Sequence, residues 1–220
     1  MKALVTGCNR GIGLELVRQL KKKGYEVLAV VRTNSEALAG VADQVIEGVD
    51  LLNAEAVDKV THGLADHDFD LVIQNAGLLV SMPFEQISSQ PMLDMFKVNA
   101  LAPILFSAKL APKIKPGGKL VVITSRMGSM ADNTSGGSYG YRMSKAALNA
   151  GAVSLARDLE GSNIAVGMIH PGWVRTEMTG KTGHVDPDES AAGILQRIEN
   201  DLNQSSSGGF WHMNGERLPF

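Results

Sequence analysis

Among the 220 residues there is one cysteine, Cys8, which excludes an internal disulfide framework. No apolar run approaches the ~18–20 residues of a membrane-spanning helix. The chain begins Met1-Lys2 and passes straight into a strand, without the charged and apolar segments of a secretory signal, so the expected location is cytoplasmic. Net charge is only −2, with both signs interspersed, which leaves no electrostatic footprint for nucleic acid or an anionic membrane. The denser basic runs have local explanations. Lys21-Lys22-Lys23 closes a helix C-terminus, where cations complement the dipole, and Lys109 to Lys119 reads as a solvated surface loop. The five histidines are scattered, and His62 and His67 do not share a helical face, so no metal site is assigned. Repeats and linkers are absent, and the only low-complexity tract is Ser205-Ser206-Ser207.

What remains is one domain, with 44% hydrophobic residues to build its core. Short β-branched runs at 3–5, 26–31, 44–46, 71–73, 120–123, 165–169 and 210–213 read as buried strands. Helical periodicity fills the intervals, most clearly at 11–23, 53–65, 89–110, 139–159 and 186–200. This alternation predicts an α/β fold: a single doubly wound parallel sheet, Rossmann-like, with helices on both faces and ligands at the carboxyl edge. Asp186-Pro187-Asp188-Glu189 supplies an N-cap, an N1 proline and an N3 glutamate for the last helix.

The first strand turns through Thr6-Gly7-Cys8-Asn9-Arg10-Gly11-Ile12-Gly13 into a helix whose apolar face is Ile12, Leu16, Val17 and Leu20. Gly7, Gly11 and Gly13 permit a tight turn and bring backbone N–H groups to a pyrophosphate at the helix N-terminus, so the turn reads as a dinucleotide site lined also by Asn9, Arg10 and Ile12. The second strand ends at Arg32. An acid there would bind a ribose 2′-hydroxyl, whereas Arg32, with Arg10 nearby, pairs with a 2′-phosphate, which favours NADP(H) over NAD(H). After the third strand, Asp50, followed by Leu51, either accepts from an adenine amino group or caps the helix at 53–65. After the fourth, Gln74-Asn75-Ala76-Gly77 offers small residues against which a cofactor can lie.

Pro103 removes the N–H that would serve the Asn99 carbonyl four residues earlier, which either frees that carbonyl for water or is a packing kink and nothing more. Ser125 leaves the fifth strand at the carboxyl edge. Tyr141 and Lys145 stand at i and i+4 on the following helix. A phenol with a pKa near 10 is a weak acid or base at neutral pH; a neighbouring ammonium lowers it. A drop of ~3 units needs about 4 kcal/mol, within reach of one lysine plus a cationic ring in a dry cleft.

Taken in order, TGCNRGIG (6–13), QNAG (74–77), Asn99, Ser125, YRMSK (141–145) and HPGWVRT (170–176) resemble the short-chain dehydrogenase/reductase family over essentially the whole chain. YRMSKAALN and the compact C-terminal part look most like its small carbonyl-reductase subgroup, which includes the sniffer and C-factor proteins. The resemblance implies Tyr141 as proton donor or acceptor and Ser125 as hydrogen-bond partner of the substrate oxygen. It implies Lys145 on the tyrosine and the nicotinamide ribose, and Asn99 holding a relay water on its carbonyl. Asn75 and Gly77 would support the adenosine side, and Pro171, Gly172, Val174 and Thr176 would wrap the nicotinamide. Two departures are visible. Gln74 stands where the family usually has asparagine, and the sixteen-residue step from Ser125 to Tyr141 is longer than in many relatives, which reshapes the substrate entrance. The expected activity is NADPH-dependent reduction of an aldehyde or ketone. The alternative is an NADP(H)-binding signalling protein of C-factor type with little turnover. Homodimer, homotetramer and monomer all stay open.

Overall fold

The computed structural model describes residues 1–64 and 67–220. Strands β1 (Lys2–Thr6), β2 (Glu26–Val30), β3 (Gln44–Ile46), β4 (Phe69–Gln74), β5 (Ile114–Ile123), β6 (Ala165–His170) and β7 (Gly209–His212) form one sheet in the order β3-β2-β1-β4-β5-β6-β7. Every neighbouring pair is parallel. The order reverses between β1 and β4, so the cleft of a doubly wound sheet opens beyond the carboxyl ends of those two strands. The predicted fold class is the one observed.

The strands are apolar on both sides because helices cover both. On one face Ala3, Val5 and Ile169 pack with Leu16, Val17 and Leu20 of α1 (Gly11–Lys22) and with Ile194, Leu195 and Ile198 of α7 (Pro187–Asn200). On the other face, Leu4, Val72 and Val122 pack with Phe106 of α5 (Ala102–Leu110) and with Leu148 and Ala152 of α6 (Tyr139–Asp158). Helices α2 (Glu36–Ala39), α3 (Ala54–Gly63) and α4 (Ser89–Phe96) complete the layers.

Four expectations are corrected. The helix expected at 89–110 is three pieces, with a π-helical turn at Lys97–Leu101 between α4 and α5. Pro103 explains the break, since it lacks an N–H and widens the turn before it. The stretch 109–119 is not a surface loop throughout, because β5 starts at Ile114 and pairs with Phe69 across an irregularity in register. α3 is capped by the Asn53 side chain on Glu55 N–H, while Asp50 accepts from Leu52 N–H, so the capping alternative for Asp50 falls. The end expected for this helix, at 65, lies outside the described residues. Asp186 holds the N-cap position of α7, but its carboxylate takes Arg175 Nε at 2.7 Å instead of a helix N–H. Among the described residues no helix is long and apolar enough to cross a membrane, and no three His, Cys, Asp or Glu side chains gather as metal ligands.

Candidate active site

The β1–α1 turn and the β4 end are stitched together by Thr6, whose part in the site no local pattern reveals. Its Oγ1 accepts from Asn75 N–H at 3.0 Å and Ala76 N–H at 3.2 Å, and donates to Gln74 Oε1 at 3.3 Å. Asn75 returns the contact by donating Nδ2 to the Gly7 carbonyl at 2.8 Å and to the Thr6 carbonyl at 3.2 Å. Two glycines are required by this seam. Gly7 has φ +63°, and a Cβ there would stand 2.6 Å from Ala76 Cα; one on Gly13 would stand 2.5 Å from Asn75 Nδ2. Behind the turn, α1 starts with no side-chain cap and no acid in its first turn, so its orphan N–H groups and positive dipole end are left for an anion.

In front of this seam lies a cavity of about 350 Å³. Gly7, Asn9, Arg10, Ile12 and Gly13 line one end, with Arg32, Asp50 and Leu51 beside them. Asn75, Ala76 and Gly77 line it between the two ends, Tyr141, Lys145 and Pro171 line the other end, and Thr176 lines it over the glycine turn. Leu78, Val98, Thr124 and Met178 also line it. Leu78, Val98 and Thr124 carry no local pattern that marks them, because they reach the site only through the assembled fold. Five assigned residues do not line the cavity. Gly11 turns with φ +56° under the Thr176 methyl, Gly172 faces Val185 and His212, and Val174 is buried in a bridge to Val185. Ser125 reaches the site through its hydrogen bond with Tyr141, and Asn99 is wholly buried behind the wall.

Asn99 acts through its side chain. Oδ1 accepts from Leu78 N–H at 2.7 Å, while Nδ2 donates to the Leu78 carbonyl at 2.7 Å and to Ser144 Oγ at 3.0 Å. Ser144 in turn donates to the Tyr141 carbonyl at 2.8 Å. The π turn, the wall after Gly77 and the start of α6 are thus tied at one buried residue. Asn99→Ala leaves both polar groups of Leu78 without partners and is expected to cost about 2–4 kcal/mol in urea unfolding. A change below ~1 kcal/mol would show that the tie contributes little to stability.

Lys145 is buried and donates Nζ to the Ile123 carbonyl at 2.9 Å, with Nζ 5.8 Å from the centre of the Tyr141 ring. Burial pushes the ammonium down to about 8. In the protein alone, burial raises the Tyr141 phenol to about 12, with the Ser125 hydroxyl pulling it back. The lowering expected from the sequence needs the cationic ring of a bound cofactor as well as Lys145.

His170 ends β6 and is 92% buried, with Nδ1 unpartnered among the described residues. Its ring meets His212 edge-on at 4.9 Å between centroids. Burial, then the charges of His212, Arg126 and Lys145, push it down to about 3. Below pH ~6.5 the unfolded chain takes up a proton that the folded chain refuses, so this contribution to stability is complete above that pH and declines toward pH 3. Between pH 7 and 5 the decline is about 2 kcal/mol, or roughly 4–8 °C in Tm at this chain length. His170→Gln should remove that part of the acid sensitivity in thermal melts; an unchanged pH dependence would refute the assignment.

The short chain dehydrogenase family model matches residues 1–186. The chain belongs to that family. It is 33% identical over 221 residues to the 1-hydroxy-2-glutathionyl-2-methyl-3-butene dehydrogenase of Rhodococcus sp. (strain AD45), covering 98% of this chain and 97% of that protein. The carbonyl reductase Sniffer of D. melanogaster superposes with a TM-score of 0.91 at 31% identity, over 100% of this chain and 99% of that one. The NADPH-bound carbonyl reductase from chicken fatty liver superposes with a TM-score of 0.88 at 27% identity, over 100% and 98% of the two chains. Family membership makes this protein an oxidoreductase of the short-chain type, and it agrees with the resemblance read from the ordered motifs.

Proposed function

We propose that this dehydrogenase reduces an aldehyde or ketone with NADPH, Tyr141 acting as the acid. The observation that carries the reading is one cavity holding an uncapped helix N-terminus at one end and the Ser125, Tyr141 and Lys145 set at the other. NADPH, held by the backbone N–H groups at the start of α1, by Arg32 and by Lys145, supplies hydride to the carbonyl carbon when bound. The chain's own residues manage the oxygen. Ser125 Oγ and the Tyr141 hydroxyl present two donors to the charge that builds there, and preorganised donors of this kind are the main contribution a protein makes to such a step. A phenol held neutral has its proton to give, so the raised Tyr141 pKa suits reduction. Lys145, whose pKa stays above 7, keeps a positive charge beside the phenolate left behind. The Ser125 hydroxyl also accepts from Met127 N–H at 3.1 Å, which fixes its rotamer before substrate arrives.

Arg10 is engaged by Glu177 in an ion pair, whereas nothing described engages Arg32, so Arg32 is the proposed reader of a 2′-phosphate. The test of the whole reading is NADPH binding together with NADPH oxidation over a panel of carbonyls. Tight binding without oxidation of any member would overturn it in favour of cofactor sensing.

A further inference from the structure

Building on that reading, we infer that the carbonyl substrate is neutral and apolar around its reacting group, a hydrocarbon or aromatic body rather than a charged conjugate. Three connections leave the carboxyl edge of the sheet around Tyr141, and each brings a large exposed apolar side chain. Phe84, after β4, is 69% exposed and meets the Tyr139 ring at 5.8 Å. Tyr139 is itself 41% exposed and opens the helix that carries Tyr141 two residues later. Trp173 and Met178, after β6, are 58% and 46% exposed. Met178 belongs to the wall of the cavity, and its Cε lies 3.8 Å from where a Gly77 Cβ would stand, a point 3.9 Å from Lys145 Nζ. Apolar side chains left in water beside a cleft mark a surface that a ligand covers.

The cations of the same rim are already committed. Arg126 gives Nε to Asp132 at 2.7 Å and Nη2 to Glu216 at 3.4 Å. Arg142 donates to the carbonyls of Gly136 and Gly137 at 3.3 and 3.2 Å and to Ser135 Oγ at 2.9 Å. Arg175 is held by Asp186 at 2.7 Å and the Gly183 carbonyl at 3.1 Å. In the segments that run from these strand ends to the next helix, 75–88, 124–138 and 171–186, the one lysine is Lys181, and it has no described partner. A glutathionyl group brings two carboxylates and an ammonium; one exposed lysine does not match it, and a second cation would have to leave a carboxylate, in the case of Arg126 or Arg175, or the carbonyls of its own loop, in the case of Arg142.

The measurement compares 4-isopropylbenzaldehyde, 4-carboxybenzaldehyde and a glutathionyl aldehyde as substrates with NADPH, and titrates the two matching benzyl alcohols into the protein–NADP⁺ complex by calorimetry. The isopropyl compound should exceed the carboxylate by about 30-fold in kcat/KM and in affinity, the ratio that burial of three carbons supplies. Phe84→Ala and Trp173→Ala should each raise its KM about 5–10-fold, with kcat and the NADPH dissociation constant unchanged. Equal or better reduction of the carboxylate or the glutathionyl aldehyde would overturn the inference and leave the reductase reading intact. If no carbonyl is turned over, the reductase reading falls; equal affinity for the two alcohols would then reject this inference too.

Discussion

Tyr141→Phe is expected to lower kcat for carbonyl reduction by about 10²-fold or more, with the NADPH dissociation constant within ~2-fold of the parent. The variant deletes one oxygen from a ring that lines the cavity beside Lys145. Among the described residues Ser125 bonds that oxygen, and it keeps a second anchor without it. Lys145 is held by the Ile123 carbonyl, and Ser125 Oγ by Met127 N–H. The helix around residue 141 is tied through main-chain and Ser144 contacts that phenylalanine keeps. The loss should therefore fall on the step in which the substrate oxygen gains its proton, and a transition-state interaction removed alone lowers kcat and kcat/KM together. Steady-state rates with stopped-flow NADPH oxidation provide the check. Parent-like turnover in the variant would refute proton donation by Tyr141. A fall in NADPH affinity of the same size as the fall in rate would move its role to cofactor binding.

Arg32→Glu should weaken NADPH by about 10²-fold and NADH by no more than ~3-fold. A charge-assisted hydrogen bond contributes about 1.5–3 kcal/mol, and reversing the charge replaces it by repulsion, so ~10² is a conservative sum for an exposed site. The selectivity follows from chemistry, since Arg32, just after β2, is proposed to meet a phosphate that only NADPH carries, whereas the α1 N-terminus is proposed to hold the diphosphate common to both nucleotides. Arg10→Glu should do less, because Glu177 already occupies that guanidinium. Fluorescence titration with both cofactors decides between them. Equal weakening of NADPH and NADH by Arg32→Glu would show that Arg32 does not read the phosphate, and a larger effect from Arg10→Glu would give that role to Arg10.

The sheet, its parallel sense and the glycine turn were all readable along the chain, because each is written in residues close together in sequence. Strand period, helix period and the i, i+4 spacing of Tyr141 and Lys145 are local properties. Even the kink near Asn99 was visible through Pro103, although its form, a π turn, was not. Capping was less legible. Asp50 and Asp186 carry the chemistry of N-caps, but Asn53 and Arg175 took over their surroundings.

By itself, then, the sequence determined which elements form, in what order, and which side chains come to the carboxyl edge of a doubly wound sheet. Only the tertiary structure decided what those side chains meet. Thr6 joins Asn75 across 69 positions and Arg10 meets Glu177 across 167; the first pair follows from the sheet order, which sets β4 beside β1, and the second from the connection after β6, which returns to the first turn. The direction of the phenol's pKa in the protein alone was decided in the same way: spacing puts a cation next to Tyr141, but burial by the packed walls is the largest cause and raises it.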